Sequence, residues 1–555
     1  MWLHVALFLG GLAPCSASRK PYQRTTALAD RAWESVTRGN FSALPRAYAL
    51  YAQAFSESGS TLYDLYWESI RVATVGCLHA LLPTPEALHA ALDGELRLDP
   101  SRTGVSQMVA MAHFSGEAMF RVARTWGPAF DEAGAGAAAA PPHPAAARPL
   151  WPAAGRRARI GVLTGHWGDH PVGHHIGGWL RNVDVGTWEV LCFSGAITPA
   201  GDADVSRNAE LCGAAAGGGG GISVLPPGAA EGARALAAAG LDVLLTLDGY
   251  DRGHRAATLA ALARLPGAPS TVGWFGYLGT LGAAYVPGLL GDGASTPESD
   301  ELLFTEAAIL RHPSTFFVSD YAALHPGVPA APPFAPPPRG GANFTFCCFS
   351  QLWKVRPAVF AAWLSVLQRA PAATLLLMEH PPVARAGLEA TYGAHPAWPR
   401  VAFLPLLPRG EHLLVKRARC ALGLDTSPYN GHVTTADLLW AGVPVLTLAP
   451  PGVGMVGRAA GSLLRAAGAP PAFFTAESLE AYADTAVRVF EAYAGAAEAA
   501  VGAAGDAAAA AGGGGGGGDA LLWRPSPTAP LFDSLAWTRG FEATLRALFD
   551  EGREE

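Results

Sequence analysis

The sequence has little charge and no concentration of basic residues. Charged side chains make up 15% of its 555 residues, against roughly 25% in an ordinary soluble domain, and the formal net charge is −7. Nucleic-acid-binding proteins carry lysine and arginine clustered on one face or along one helix, and the sequence shows no such cluster. We therefore expect no nucleic-acid partner.

Cysteine is scarce, and the common catalytic motifs are missing. The seven cysteines show neither C-x-x-C nor Cys/His zinc spacing, so no structural zinc site is predicted. Their small, odd number is typical of a reducing compartment. The sequence has no G-x-x-x-x-G-K-[ST] loop and no G-x-S-x-G motif, so it lacks the signatures of P-loop enzymes and of α/β-hydrolases.

Long hydrophobic runs are missing as well, apart from one short segment at the N-terminus. Outside the Ala/Gly tracts no apolar, charge-free run reaches the roughly 18 residues of a spanning helix, so we expect no membrane-spanning segment. Residues 1–18 combine an apolar run with the small residues of a signal-peptide cleavage region, but no lysine or arginine precedes that run. Two interpretations stay open: a secretory leader, or a wrongly assigned or truncated start.

The rest of the sequence begins with a helical part. The chain contains 23 Phe, 15 Trp and 13 Tyr, enough to build sizeable cores. Residues 20–132 repeat apolar side chains at spacings of three and four, which predicts helices resembling a degenerate tetratricopeptide pair, although no clean period of about 34 residues is present. Residues 133–155 are rich in Ala and Pro and form a predicted linker.

Short buried strands then alternate with helices, which predicts an α/β protein with two doubly wound parallel sheets. The first block, residues 156–328, has predicted strands at 159–164, 188–193, 241–247 and 271–275. The second block, residues 341–493, has predicted strands at 344–349, 374–378, 400–404, 420–424 and 443–448. An Ala/Gly-rich insertion is predicted at 494–519 and a closing helix within 520–555. Two such Rossmann-like blocks would face each other across a cleft, where ligands bind at the carboxyl ends of the strands.

The segment from Leu424 to Asp437 carries the clearest signal for a site. A hydrophobic strand ends there, a Pro/Asn/Gly turn follows, and a helix opens at His432 and Thr434. The N–H groups and the dipole at a helix start favour anions, so the pattern indicates a diphosphate cradle, with Asp437 able to accept hydrogen bonds from ribose hydroxyls. The alternative is a helix cap without any ligand.

Two further segments contain candidate residues. Lys354 follows a predicted strand and precedes a helix, where a cation can neutralise a leaving diphosphate; the alternative is a solvated surface lysine. His170 and His174 follow the first strand, but the sequence offers neither an H-E-x-x-H pattern nor a third ligand, so we expect no metal. His170 is a better candidate for positioning an acceptor or transferring a proton, and the alternative is a helix cap.

In these segments the sequence resembles the nucleocytoplasmic protein O-linked N-acetylglucosamine transferases and their SPINDLY-type O-fucosyltransferase relatives. The similarity begins at about Arg159, and its motifs are Asp169–His174, Leu247–Gly253, Trp274–Thr280, Thr315–Phe317, Phe349–Lys354, Leu424–Gly442 and Ala529–Asp533. The resemblance implies a GT-B fold and an inverting, metal-independent transfer from a nucleotide sugar to protein serine or threonine. It also implies a cytoplasmic or nuclear location, which conflicts with a secretory leader.

The resemblance assigns roles to individual residues. The family residues that bind the nucleotide sugar match Gln351, Lys354, Arg409, His412, His432, Val433, Thr434 and Asp437. Lys354 matches a lysine that contacts the donor diphosphate, and Asp437 matches an aspartate that binds ribose. His170 matches a histidine that lines the acceptor and sugar site, so His170 and Lys354 are the candidate catalytic residues. No cofactor is implied beyond the donor substrate.

The donor and the activity leave alternatives open. His174 and the run Asn430-Gly-His432 favour UDP-N-acetylglucosamine over GDP-fucose. Val433 replaces a threonine of the family, Arg409 replaces a lysine, and the basic residue expected three positions after the nucleotide-contacting histidine falls at Val415. These departures support a second hypothesis, a scaffold protein with a degenerate donor site. A third is a GT-B enzyme acting on a small molecule or lipid.

Overall fold

Two parallel β-sheets organise the part of the chain that this computed structural model describes. The described residues are 151–152, 155–195, 201–249, 254–326, 344–380, 382–503 and 520–550. All of them fall within one unit of the chain, residues 82–555. The predicted leader at 1–18, the predicted helical region at 20–132 and nearly all of the predicted linker at 133–155 lie outside the described residues.

The N-terminal lobe contains a seven-stranded parallel sheet. Its strands are β1 (Ala158–Leu163), β2 (Trp188–Ser194), β3 (Ile222–Val224), β4 (Val243–Thr246), β5 (Ser270–Gly273), β6 (Gly288–Asp292) and β7 (Ala308–His312). They are ordered β3-β2-β1-β4-β5-β6-β7. Strands β2 and β3 are added on one side of β1 and strands β4 to β7 on the other, so the strand order reverses between β1 and β4. The helices are α1 (Pro171–His175), α2 (Gly177–Leu180), α3 (Ala203–Ala215), α4 (Ala229–Ala238), α5 (His254–Leu262) and α6 (Tyr321–Leu324).

The C-terminal lobe also contains a parallel sheet, with five strands. They are β8 (Thr345–Cys348), β9 (Thr374–Glu379), β10 (Val401–Pro405), β11 (Leu422–Leu424) and β12 (Val445–Leu446), ordered β10-β9-β8-β11-β12. The helices are α7 (Pro357–Arg369), α8 (Pro382–Tyr392), α9 (Arg409–Arg419), α10 (Val433–Trp440), α11 (Ala459–Ala466) and α12 (Leu479–Ala503). A last helix, α13 (Ser534–Asp550), closes the described chain.

Burial explains which strands the sequence predicted. A parallel sheet covered on both faces selects continuous apolar runs, and all residues of β4 and β11 are buried. Every strand predicted from such a run is present, with ends shifted by at most two residues. The prediction missed β3, which is short and largely exposed, and also β6 and β7. Two parallel-sheet lobes confirm the predicted α/β architecture.

The boundary after the second lobe differs from the prediction. Helix α12 continues to Ala503, so the predicted lobe end at 493 moves to 503, because the alanine-rich start of the predicted insertion at 494–519 has high helix propensity. The rest of that insertion lies outside the described residues. None of the helices in the described part of the chain has the length and apolarity that crossing a bilayer requires.

Four cysteines pair, which the sequence did not predict. Cys192 on β2 bonds to Cys212 on α3, and Cys347 on β8 bonds to Cys420 at the end of α9, with Cα–Cα separations of 6.0 Å and 5.8 Å. Cys348 is a buried thiol. The partners lie 20 and 73 residues apart in the chain, and only the packing of a helix against a strand brings each pair together.

Helix α13 follows the C-terminal lobe in sequence but packs on the N-terminal lobe. The Trp537 ring stacks on those of Trp274 and His312, with centroids 5.7 Å and 4.9 Å away. Its indole Nε1 donates a hydrogen bond of 2.8 Å to the carbonyl oxygen of Thr315. Helix α13 is therefore part of the core of the N-terminal lobe beside β7.

Replacing Trp537 by alanine tests this anchor. We expect Trp537→Ala to lower the free energy of unfolding by about 3–5 kcal/mol, because it removes a buried ring and leaves a carbonyl without its donor. Chemical denaturation followed by circular dichroism measures the change. Leu535→Ala on the same helix is the control, since that side chain is 50% exposed. Equal effects of the two substitutions would contradict the assignment.

Candidate functional site

The loop that follows β11 is built around one buried carboxylate. Asp425 accepts a hydrogen bond from Gly431 N at 2.6 Å on Oδ1 and from the Thr447 hydroxyl at 2.7 Å on Oδ2. Burial raises the pKa of Asp425 to about 7, against the lowering effect of these hydrogen bonds. The two hydrogen bonds hold the loop against the end of β11, and the loop leads into the start of α10.

The start of α10 depends on glycine at position 431. A Cβ there would lie 2.5 Å from the Thr434 hydroxyl and 2.8 Å from the Thr435 hydroxyl, distances that no side chain tolerates without a shift. His432 occupies the N-cap position, and Val433 and Thr434 begin the helix. The first N–H groups of a helix have no acceptor within it, so the helix start that the sequence predicted here has the donors that an anion would need.

Lys354 lies against this loop. It ends a short 3₁₀ helix that begins after Gln351 at the end of β8, and β8 and β11 are neighbours in the sheet. Lys354 Nζ lies 3.4 Å from the carbonyl oxygen of Asn430 and 3.5 Å from the centroid of the Tyr429 ring. Burial lowers the pKa of Lys354 to about 8, although the charge of Asp425 opposes the shift. The two segments identified from the sequence therefore form one site.

Two histidines of the C-terminal lobe, His432 and His412, are neutral. Burial and the charge of Lys354 lower the pKa of His432 to about 3, and burial lowers the pKa of His412 to about 4. His412 Nε2 accepts a hydrogen bond from Leu407 N at 2.8 Å, so Nδ1 carries the proton of the neutral ring. That buried Nδ1 has no hydrogen-bond partner among the residues that the structure describes. His412 thus offers one donor to a ligand.

The first residue of α9 reaches the other lobe. Arg409 Nη2 lies 2.8 Å from Asp204 Oδ2 and 3.6 Å from Asp169 Oδ1, and both carboxylates belong to the N-terminal lobe. His174 Nε2 joins them at 2.9 Å from Asp169 and 3.5 Å from Asp204. The aspartates and His174 bring three atoms able to bind a metal within 4.8 Å of one another. Arg409 already supplies this cluster with a positive charge.

Asp437 also joins the two lobes. Its Oδ1 accepts a hydrogen bond from the Tyr321 hydroxyl at 2.7 Å, and its Oδ2 lies 2.6 Å from Lys416 Nζ. Burial opposes ionisation, but the charge and hydrogen bond of Lys416 hold the pKa of Asp437 below its usual range. Lys416 stands one position beyond Val415, where the sequence analysis expected a basic residue. The cation missing at Val415 is therefore present in the site at the next position.

His170 lies on the N-terminal lobe, directly after β1. It is the N-cap of α1, and its Nδ1 accepts a hydrogen bond from Val172 N at 3.2 Å. The His166 ring stacks on it with centroids 3.8 Å apart. Asp248, at the end of the neighbouring strand β4, accepts hydrogen bonds from Gly165 N and the Thr164 hydroxyl. The loops after β1 and β4 are thus tied together at one edge of the sheet.

Sequence reasoning found the C-terminal part of the site more completely than the N-terminal part. Asp425 and Tyr429 lay inside the segment already singled out, and a carboxylate directly after a buried strand was a usable signal. Asp204, Tyr321 and Lys416 were missed. Their roles arise from contacts with side chains of distant segments, and nothing in the local pattern marks them.

A profile described as Glycosyl transferase family 41 matches residues 144–330 and 340–497, more than half of the chain. Over 343 residues the chain is 29% identical to a probable UDP-N-acetylglucosamine–peptide N-acetylglucosaminyltransferase, SEC, of Arabidopsis thaliana, covering 60% of this chain and 33% of that protein. A Caenorhabditis elegans UDP-N-acetylglucosamine–peptide N-acetylglucosaminyltransferase is 32% identical over 148 residues, 26% of this chain and 12% of that protein. The chain spans about a third of the length of the Arabidopsis relative.

A solved structure shares the fold. A mutant O-GlcNAc transferase of Thermobaculum terrenum superposes with a TM-score of 0.56 at 23% sequence identity, covering 96% of this chain and 99% of that one. Together with the two Rossmann-like lobes, this likeness confirms the GT-B fold that the resemblance implied.

The lowered pKa of Lys354 can be measured directly. The chain has three lysines, so reductive methylation with ¹³C-formaldehyde yields few lysine resonances. We expect the Lys354 resonance to titrate near pH 8, because burial disfavours its charged form, instead of near the ordinary value of about 10.4. Lys354→Arg identifies the signal by removing it. A Lys354 midpoint above pH 10 would contradict the buried position.

Proposed function

The chain belongs to glycosyltransferase family 41, and on that basis we propose that it transfers N-acetylglucosamine from UDP-N-acetylglucosamine to serine or threonine hydroxyls of proteins. The names of its Arabidopsis and Caenorhabditis relatives support this donor and a peptide acceptor. The observation that carries the proposal is the position of Lys354 beside the loop that opens α10. The transfer inverts the anomeric centre and needs neither metal nor cofactor.

The chemistry follows from where negative charge develops. Departure of UDP places charge on the diphosphate, and the Lys354 ammonium together with the first N–H groups of α10 stabilises it. A lysine whose pKa is about 8 gains its proton fully when a diphosphate binds beside it, since an adjacent anion favours the charged form. The cation and the helix start therefore take the part that a metal ion plays in other transferases.

The remaining residues bind and orient the donor. Gln351, His432, Val433 and Thr434 surround the diphosphate, and Asp437 accepts hydrogen bonds from the ribose. Arg409 and His412 contact the nucleotide, His412 through its donor Nδ1. Orientation of this kind supplies much of an enzyme's rate by holding the reacting groups in line.

His170 acts on the acceptor side. Its Nδ1 accepts from Val172 N, so in the uncharged form of the ring the proton is on Nε2, which is then a donor. We therefore assign His170 to positioning the acceptor, and the geometry disfavours proton abstraction by the ring while α1 keeps this cap. The acceptor proteins belong to the cytoplasm or nucleus, by analogy with the family.

Nucleotide titration tests the proposal. We expect UDP to bind in the presence of EDTA and Lys354→Ala to weaken it by about 10- to 100-fold, because one hydrogen-bonded charge is lost. Isothermal calorimetry measures both affinities. Arg369→Ala is the control, since it removes a cation from the same lobe whose partner is the exposed Asp484.

The outcomes separate the alternatives. Binding of GDP in preference to UDP would move the donor to GDP-fucose, and no nucleotide binding would favour the scaffold hypothesis. Mass spectrometry of a peptide library incubated with UDP-N-acetylglucosamine tests the acceptor. Nucleotide binding without any peptide modification would contradict a protein substrate and favour a small molecule or lipid.

A further inference from the structure

The carboxylate of Asp437 is held at both oxygens by buried side chains from two other elements. Tyr321 comes from α6 of the N-terminal lobe and donates to Oδ1 at 2.7 Å. Lys416 comes from α9 and places Nζ 2.6 Å from Oδ2. The Lys416 side chain is 3% exposed and that of Asp437 is 20% exposed, so the aspartate is the more accessible member of the pair.

We propose that Tyr321 and Lys416 are positioning residues for the donor ribose, acting through Asp437. The inference rests on the proposed function and extends it to residues from both lobes. Each carboxylate oxygen has two lone pairs, and each partner occupies one of them. One lone pair on each oxygen remains for the two vicinal hydroxyls of a ribose.

The surroundings of Tyr321 fix the direction of its hydroxyl. Its ring lies 4.9 Å from that of His175, 5.5 Å from that of Trp440 and 5.8 Å from that of Phe532, measured between centroids. The carbonyl oxygen of Val433, the first residue of α10, is a second acceptor at 3.3 Å, and the single hydroxyl proton goes to the closer Asp437 oxygen. Tyr321 therefore ties the Asp437 carboxylate to the N-terminal lobe.

Lys416 places a buried positive charge beside Asp437, and a gain in folding stability alone does not explain it. A buried lysine–aspartate pair is a weak source of stability, because removing both charges from water costs about as much as their attraction returns. The Lys416 ammonium also lies 5.1 Å from the centroid of the Phe349 ring, at the end of β8. It keeps Asp437 ionised and turned, so that the carboxylate accepts hydrogen bonds and does not donate one.

The hydrogen bond between Tyr321 and Asp437 joins the two lobes at the proposed ribose subsite. Asp437 belongs to the C-terminal lobe and Tyr321 to the N-terminal lobe, so the ribose subsite is complete only when the lobes are in contact. Contacts made by the ribose therefore depend on both lobes, whereas the diphosphate contacts at Lys354 lie within one lobe.

A comparison of UDP with 2′,3′-dideoxy-UDP tests the proposal by calorimetry. We expect the wild-type protein to prefer UDP by at least about tenfold, since hydroxyl bonds to a carboxylate are lost in the dideoxy compound. In Tyr321→Phe, UDP affinity should fall about tenfold while 2′,3′-dideoxy-UDP affinity changes less than about twofold. Lys416→Met should likewise weaken binding of UDP more than binding of 2′,3′-dideoxy-UDP. Tyr392→Phe, which removes a hydroxyl bonded to the Pro357 carbonyl within the C-terminal lobe, is the control.

The outcomes distinguish this inference from the function on which it rests. Equal losses for both nucleotides in Tyr321→Phe, or an unchanged preference, would overturn the positioning role and leave the transferase proposal standing. Failure of the wild-type protein to bind either nucleotide would overturn both. Tyr321→Phe decides the matter even if Lys416→Met does not fold, because it removes one oxygen atom and leaves the buried ring in place.

Discussion

One buried ammonium, that of Lys354, lies against the loop that opens α10, and the histidine of that loop adds no second positive charge. His432 and His412 are neutral at physiological pH because burial depresses their pKa values to about 3 and 4. Asp425 uses one oxygen to hold Gly431 and the other to hold Thr447, and its charge opposes the lowering of the Lys354 pKa. The Lys354 ammonium also lies 3.4 Å from the carbonyl oxygen of Asn430 and 3.5 Å from the centroid of the Tyr429 ring.

The interface between the lobes contains several polar contacts whose strength depends on their geometry. The Ser462 hydroxyl of the C-terminal lobe donates to Asp292 at 2.7 Å, and Arg458 Nε lies 3.0 Å from Asp300. Asp292 also accepts from Phe316 N, so the same carboxylate holds the loop after β7. The strength of a hydrogen bond falls steeply when donor and acceptor are misaligned, whereas apolar contacts depend little on direction. A junction of this kind fixes the relative position of His170 and Lys354, which reside on different lobes.

Local patterns predicted what local physics determines. The strands were visible because a doubly covered parallel sheet demands unbroken apolar runs, and the helix start at Val433 was visible because glycine and histidine stop one element before another begins. The missed strand β3 has three residues and follows a glycine run, so its pairing with β2 decides its structure. Tyr321 and Asp204 act across the lobes, and the distances that give them roles exist only after two independently folded sheets have met.

The structure shows what surrounds the three residues that depart from the family pattern, Val433, Val415 and Arg409. Val433 removes a hydroxyl from the first turn of α10, but the anion-binding capacity of a helix start comes from backbone N–H groups, which valine supplies as well as threonine does. Position 415 carries valine, but the next residue, Lys416, places its ammonium 2.6 Å from Asp437. Arg409 keeps the positive charge of the lysine it replaces, and its Nη2 lies 2.8 Å from Asp204. The three departures therefore leave in place the backbone N–H groups at the start of α10 and the cations of Arg409 and Lys416.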